Sequence, residues 1–534
     1  MTGTASYAID FGTSNTVVTR WNLASDRAET ISLPGLSEQL ANNPPLIPSL
    51  IYVEDARQGK VVCGQSVRDR GLDLKNDPRF FRSFKRGIGA TIQGFLPELD
   101  EKTVTFEQVG EWFFQDLLAQ LEAEGSDRLD SLTLTVPVDS FEAYRHWLSR
   151  VCQSWSVEQI RMLDEPTAAA LGYGMGQDTL LLVVDFGGGT VDLSLVELNN
   201  PASAPQGLIL KWGQRFLGEN PRQKPKTARV LAKAGENLGG SDLDLWLVDY
   251  FAQTQDLPKS SLVTRLAERL KIQLSSQNEA SEAYFNDETF DTFELNLDRD
   301  RFNQILEDRG FFTRLDELMT GVLQQGRRQG IESKDVDAVL LVGGTAQIPA
   351  VQNWLKRYFD EDRIRSSLPF EAIATGALQL NKGVEVKDFL YHSYGIRYWN
   401  KRQNCHSWHP IIKSGQPYPM ANPIELTLGA SVENQPSIEL IIGELGAETG
   451  GTEVYFDGDR LVTRSLNTGA TSVQPLNDSD GARSIASLKP PGNPGSDRIK
   501  LQFRVDKDRS LRITVEDLLS GEVLMSDRMV AELS

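Results

Sequence analysis

Only three cysteines occur in 534 residues, Cys63, Cys152 and Cys405, far apart and odd in number. That spacing suits neither a disulfide framework nor a paired thiolate metal site, and the expectation is reduced, buried thiols in a cytoplasmic protein. No window approaches eighteen consecutive apolar residues, so no membrane-spanning helix is expected. The opening MTGTASYAID has no basic segment followed by an apolar run, and no secretion signal is read there. Positive charge is in deficit: Lys+Arg 55 against Asp+Glu 74 leaves a formal net charge of −19. A surface so acidic repels phosphate backbones and anionic headgroups, so neither nucleic acid nor membrane is an expected partner. GxxxxGK[ST] is missing, as is GxGxxG after a strand, which removes the P-loop and Rossmann nucleotide folds.

What the chain does have is two successive patterns. The length favours several domains, and the apolar fraction of 40% supplies large cores. Aliphatic runs such as YAIDFG, TVVTRW, SLIYVED, SLTLTVP, LLLVVDFG, VDLSLVEL and DAVLLVGG read as strands covered on both faces. Between them EQVGEWFFQDLLAQLEAE, FEAYRHWLSRVCQSW, LDLWLVDYFAQ and LVTRLAERLKIQL have helical periodicity, and together these make an α/β domain over 1–383. After a linker at 384–390 the pattern becomes short alternating runs between Gly, Asn, Asp and Pro clusters, which predicts an all-β sandwich over 391–534. The stretches 199–235 and 464–497 read as exposed insertions.

Three strands end on glycine: AIDFGTSN, VVDFGGGTVD and LLVGGTAQ. Phosphate needs several N–H donors converging on one point, and only backbone without Cβ approaches closely enough; the hydroxyls of Thr13, Ser14, Thr190 and Thr345 can add donors. Asp10, Asp185 and Asp192 stand at these turns, where a carboxylate can hold Mg2+ through waters. One such turn is ordinary chain reversal, but three in one domain point to a nucleotide.

Two Asp-Gly hairpins, each opening a similar half, resemble the actin-like ATPase superfamily. IRMLDEPTAAALGYG, LGGSDLDLWLV, LAERLKIQLSS, LLVGGTAQIP and PFEAIATGALQ together resemble the heat-shock-seventy, DnaK-type chaperone family. The resemblance implies a two-lobed α/β ATPase, each lobe with a βαβ-type core, followed by a peptide-binding β-sandwich. ATP/ADP and Mg2+ are the implied cofactors, with K+ as a candidate second cation. Gly12, Thr13 and Ser14 would form one phosphate turn, and Gly187, Gly188, Gly189 and Thr190 the other. Lys85 would place its cation at the γ-phosphate, Glu165 would organise water and metal, and Asp10 and Asp185 would belong to the metal shell. Glu268, Lys271 and Ser275, at i, i+3 and i+7 on one helical face, would meet ribose and adenine, with Gly239, Gly240, Gly343, Gly344 and Thr345 completing the cleft.

The resemblance carries Pro137 and Arg145 as coupling residues, Arg161 as a docking site for a J-domain protein, and Ile396, Trp399 and Ile438 as residues of the client site. It implies unfolded polypeptide clients and a nucleotide-exchange factor as further partners. The chain departs from the family at Gln347, normally Arg, and Phe370, normally Asp; losing a guanidinium that stacks on adenine weakens base packing. Asp139, Phe141 and Glu142 differ beside the J-domain position, and VEVKDFL keeps only Val384, Val386 and Phe389 of an apolar linker. The sequence ends at DRMVAELS, so no helical lid is expected, and client trapping should be weak. Alternatives are a scaffold or filament ATPase of the actin superfamily, and a binding module with a weakened ATPase.

Overall fold

The computed structural model describes residues 4–22, 24–39, 43–74, 76–90, 92–94, 96–124, 128–137, 142–153, 155, 157, 159–175, 179–199, 209–212, 227–285, 290, 292–379, 393–400, 405–412, 418–420, 422–445, 451–457, 460–466, 473–477, 484–506 and 509–533. Two compact units emerge: Met1–Val386 with Thr452–Ser465, and Lys387–Gly451 with Leu466–Ser534. The seam falls within 384–390, the stretch read as a linker, which lies outside the described residues.

The first unit is one wiring used twice. The strands that make up this repeated wiring are β1 (Thr4–Phe11), β2 (Asn15–Asn22), β3 (Arg27–Thr30), β4 (Arg128–Val136), β5 (Gln159–Asp164), β6 (Thr179–Phe186), β7 (Val191–Asn199), β8 (Ile209–Trp212), β9 (Thr227–Glu236), β10 (Ala338–Val342) and β11 (Ile364–Arg365), and shorter strands and hairpins lie outside it. One main sheet runs β8-β5-β4-β1-β2-β3, with Ile47–Pro48 also pairing to β2, and a second main sheet runs β9-β7-β6-β10-β11. In the first, β1, β2 and β3 form an antiparallel meander, and β4 and β5 add in parallel beside β1. In the second, β6, β7 and β9 repeat the meander, while β10 and β11 repeat the parallel pair. Asp10 and Asp185 therefore occupy equivalent positions, near the end of the first strand of each half.

Helices cover the sheets: α1 (Gln65–Asp69), α2 (Phe106–Glu124), α3 (Glu142–Gln153), α4 (Glu165–Gly172), α5 (Gly240–Gln255), α6 (Ser261–Ser276), α7 (Arg299–Asp308), α8 (Phe311–Arg328), α9 (Pro349–Leu355) and α10 (Ala372–Leu378). On α2 the buried residues Phe106, Val109, Phe113, Phe114, Leu117 and Leu121 recur at helical spacing, and Phe113 and Phe114 join Phe11 and Phe84 in one aromatic cluster. Helix α4 starts because the Asp164 carboxylate caps it, accepting from the Thr167 N–H at 2.8 Å, with Pro166 in the first turn. Helices α4 and α10 follow equivalent strands of the two halves and cross at their small residues. A Cβ on Gly172 would stand 1.9 Å from the Ala372 carbonyl oxygen, and one on Gly376 would stand 1.8 Å from that of Ala168. The motifs AAALG and ATGAL are thus contact surfaces between the halves.

The two stretches read as insertions are corrected in part. Residues 199–235 contain β8 and most of β9, the third strand of the second meander, and 464–497 contain the strands Val473–Pro475 and Ser484–Gly492. Lys, Arg, Ser and Pro obscure the alternation in these strands, and pairing with a neighbour decides them. Strand β5, which lies outside the aliphatic runs of the sequence, is decided in the same way. Glu453 and Val454 pair in parallel with Ile92 and Gln93, and Thr452–Ser465 belongs to the first unit.

In the second unit, one sheet orders the strands Cys405–Ile412, Ser393–Asn400, Ile442–Leu445 and Val473–Pro475. Another orders Ile424–Gly429, Asp497–Val505, Ser510–Asp517 and Val523–Glu532, and Gln435–Glu439 pairs with Ser484–Gly492. All three contribute to one apolar core that includes Tyr394, Ile412, Ile442, Leu501, Phe503, Ile513 and Val515. A buried ion pair, Arg498 to Asp517 at 2.8 Å, ties neighbouring strands of the second sheet.

Candidate active site

The glycine turns of the two halves meet. The β1–β2 turn carries Gly12, Thr13 and Ser14, and the β6–β7 turn carries Gly187, Gly188 and Gly189. A Cβ on Gly188 would lie 1.9 Å from Ser14 Oγ, and one on Gly189 would lie 2.4 Å from Thr13 Oγ1. Only bare backbone permits this approach, which is the physical content of three glycines in a row. A further glycine pair, Gly239–Gly240 at the start of α5, packs on the second turn: the Gly240 and Ser241 N–H groups donate to the Gly187 and Gly188 carbonyls at 3.1 and 2.9 Å. Thr345 Oγ1 donates to the Gly187 carbonyl at 2.8 Å, which brings in the turn after β10. Thr190 closes its own turn by accepting from the Gly187 N–H at 3.1 Å.

Beside these turns lies a buried charge cluster. The Lys85 Nζ donates to the Phe11 carbonyl at 2.5 Å and stands 3.4 Å from Glu165 Oε1. Burial opposes its charge, but Glu165, Asp10 and Asp185 outweigh that and raise its pKa. Burial pushes the Glu165 carboxyl up to about 7, against the opposing pull of Lys85. The Asp10 carboxyl is also raised by burial, though it accepts from Thr135 Oγ1 at 2.7 Å, and Asp185 is raised well above its ordinary value by burial and the neighbouring carboxylates Glu165, Asp192 and Asp10. In the ladder Asp192 pairs directly with Asp185. Pro137, Glu165, Asp185, Asp192, Ser194 and Lys233 line a small cavity, which puts Pro137 next to the acidic groups.

This donor set fits Mg2+. Buried carboxylates with raised pKa values are what a divalent cation would return to the ionised form. Among the described residues no three carboxylate, imidazole or thiol groups converge tightly enough to hold a metal by themselves. Magnesium usually keeps several waters and takes one or two carboxylates plus phosphate oxygens, so such convergence is not required.

Glu268, Lys271 and Ser275 do share a face of α6, but each is engaged separately. The Glu268 carboxylate accepts from Arg68 Nη2 at 2.9 Å; burial raises its pKa, and Arg68, Arg82 and Lys271 together more than reverse this, leaving it below the ordinary value. Lys271 donates to the Gly240 carbonyl at 2.8 Å and pairs with Asp244 at 2.7 Å. Ser275 Oγ donates within the helix to the Lys271 carbonyl at 3.2 Å. Gly343 adopts φ +85, and a Cβ there would stand 2.3 Å from the Phe186 carbonyl oxygen. The Phe370 ring lies against Gly344 and packs on Val17, Leu46 and Ala374.

Sequence reading passed over Arg86, which pairs with Asp242 at 2.5 Å and donates to the Gly189 carbonyl, clamping the second turn. It also passed over Arg68, Asp244, Ser83 and Ser241. Arg86 adjoins Lys85 in SFKRGIG, but nothing local distinguishes a clamping arginine from a solvated one. The Arg145 and Trp399 side chains lie outside the described residues, as do Asp139 and Phe141. Arg161 is partly buried on β5 and donates to Gln159 Oε1 at 3.2 Å. Ile396 and Ile438 are 2% and 4% exposed within the core of the second unit.

Over residues 92–202 and 227–396 the sequence matches the family described as Hsp70 protein. Pro137, Glu165, Asp185 and the second and third glycine turns fall inside the match, whereas Asp10, Gly12–Ser14 and Lys85 precede it. The match spans just over half of the chain, which therefore belongs to the Hsp70 family, whose members are ATPases with the actin-like fold.

Proposed function

We propose that this protein hydrolyses ATP at the junction of its two halves and uses the reaction to control how its second unit, a β-sandwich, binds extended polypeptides. The observation that carries the reading is the convergence of duplicated Asp-Gly hairpins on the buried Lys85–Glu165 pair. Phosphoryl transfer to water needs positioning and neutralisation of charge more than covalent catalysis, and rigid turns with a fixed ammonium offer both.

In this reading the backbone of Gly12–Ser14 and Gly187–Thr190 grips the phosphate tail, and Arg86 holds the second turn rigid. Lys85, oriented by the Phe11 carbonyl, faces the terminal phosphate. Glu165 orients the attacking water, whose oxygen bonds to phosphorus as the bond to the bridging oxygen breaks. Asp10, fixed by Thr135, and Asp185 would hold Mg2+, which would neutralise phosphate charge. Gly239, Gly240, Lys271, Glu268, Ser275 and the Gly343–Thr345 turn would form the nucleoside side. For Glu268 this requires Arg68 to share its carboxylate.

Pro137, at the cavity beside Glu165 and Asp185, would pass the state of the site to the segment leading into α3, on which Arg145 follows. Hsp70 proteins bind client polypeptides, J-domain proteins and exchange factors, and the same partner classes are proposed here. With Ile396 and Ile438 buried, clients would engage the exposed strand edges of the second unit. The test is steady-state ATP hydrolysis with and without a panel of unfolded peptides. Stimulation supports both sites and their communication; absence of nucleotide binding overturns the reading.

A further inference from the structure

Helix α3 carries Tyr144, a residue that the sequence reading left without a role. It is 4% exposed, and its hydroxyl has no hydrogen-bond partner among the described residues. Buried hydroxyls are normally satisfied, and an orphan in a packed interior asks for an explanation. The location supplies one. The Lys85 Nζ lies 6.0 Å from the centre of the Tyr144 ring, and the charges of Lys85, Glu165 and Asp10 all act on the phenol.

Lys85 cannot accept a hydrogen bond, and its own contacts are with the Phe11 carbonyl and Glu165. Burial pushes the phenol pKa up to about 12, so at neutral pH it keeps its proton and can act as a donor. Its ring is held in place by Trp147, at 5.5 Å between centroids, and Trp147 Nε1 donates to the Glu107 carbonyl of α2 at 2.9 Å. A rigidly held donor without an acceptor, beside the ammonium that faces the terminal phosphate, matches an acceptor that arrives with the substrate.

We propose that Tyr144 is a positioning residue whose hydroxyl donates to an oxygen of the terminal phosphate of bound ATP, and that this bond reports the presence of that phosphate to α3. The inference rests on the reading of Lys85 as the γ-phosphate end of the site. It goes further by naming a contact that ATP makes and ADP does not. Because Arg145 is the next residue on α3, formation of this bond would bias the helix that carries the proposed coupling arginine. No bond to the phenol forms or breaks in the reaction.

The test is Tyr144→Phe in the full chain, which keeps the ring against Trp147 and Lys85 and removes only the hydroxyl. Expected are an affinity for ATP lowered about tenfold or more, as for a lost hydrogen bond to a charged group, an ADP affinity within about twofold of wild type, and a nucleotide-free protein that melts no lower. Equal loss of ATP and ADP affinity would mean a merely structural role and would overturn the proposal, as would unchanged affinity for both. Wild-type protein that binds neither nucleotide would instead overturn the underlying site reading. Wild-type binding together with a Lys85→Ala variant that loses turnover would uphold that reading whatever Tyr144→Phe does.

Discussion

The Lys85 ammonium lies 3.4 Å from the Glu165 carboxylate, although the two come from separate segments, the short turn Phe84–Gly87 and the first residue of α4. The pair joins the aromatic cluster around Phe11 to the helix that packs against the other half. It lies within reach of both Asp-Gly hairpins.

Lys85→Ala should lower ATP turnover at least 100-fold, the scale of losing one preorganised charge aimed at the transition state, while circular dichroism stays that of the wild type. Thr190→Ala should act in the same direction. Normal steady-state turnover in both variants would contradict the site.

Burial holds Glu165 at about 7 against an ordinary 4.5. Between those values the folded state binds more protons than the unfolded state, so this group's contribution to stability is fully present below 4.5 and is lost as pH rises towards 7. For the nucleotide-free protein the loss approaches roughly 3 kcal/mol. Glu165→Gln should remove it. Urea midpoints measured at about pH 5 and about pH 7.5 should therefore diverge between wild type and variant; parallel pH dependence would contradict the assignment.

Gly376→Ala puts a methyl group 1.8 Å from a backbone oxygen of α4, and α4 and α10 must separate to accept it. A stability loss of about 1–3 kcal/mol is expected. Gly188→Ala meets the Ser14 side chain instead, so adding Ser14→Gly should recover most of its lost stability. Thermal unfolding of the single and double variants distinguishes the two kinds of contact.

Gln347→Arg should tighten ADP binding about two- to fivefold, the scale of one exposed cation–π contact. Titration calorimetry with ADP and GDP would show whether the gain is confined to adenine. An unchanged affinity would mean that Phe370 and its neighbours, not residue 347, form the base wall.

Reading from sequence reached furthest where local chemistry is self-contained. Continuous aliphatic runs marked β1, β6 and β10, and periodic apolar residues marked α2 and α6, because burial on a strand or a helical face leaves a regular imprint on neighbouring residues. Glycines at strand ends marked the turns at Gly12, Gly187–Gly189 and Gly343–Gly344, where a Cβ on Gly12, Gly188, Gly189 or Gly343 would clash, and the resemblance added Gly239 and Gly240 to them. Strands β5 and β9 left no comparable imprint; their pairing partners decide them.

Composition and pattern were enough to separate an α/β region from an all-β one and to mark Asp10 and Asp185 at the glycine turns, whereas Lys85 and Glu165 were reached only through the family resemblance. Three-dimensional packing alone decided which charges meet: Arg68 takes Glu268, Lys271 takes Asp244, Arg86 clamps Gly189, and the Tyr144 hydroxyl stays unpaired among the described residues. The reason is range. Backbone preference and periodicity act over a few residues, whereas ion pairing and hydrogen bonding act between groups that the chain brings together from up to hundreds of positions apart, and nothing in the order of residues encodes those distances.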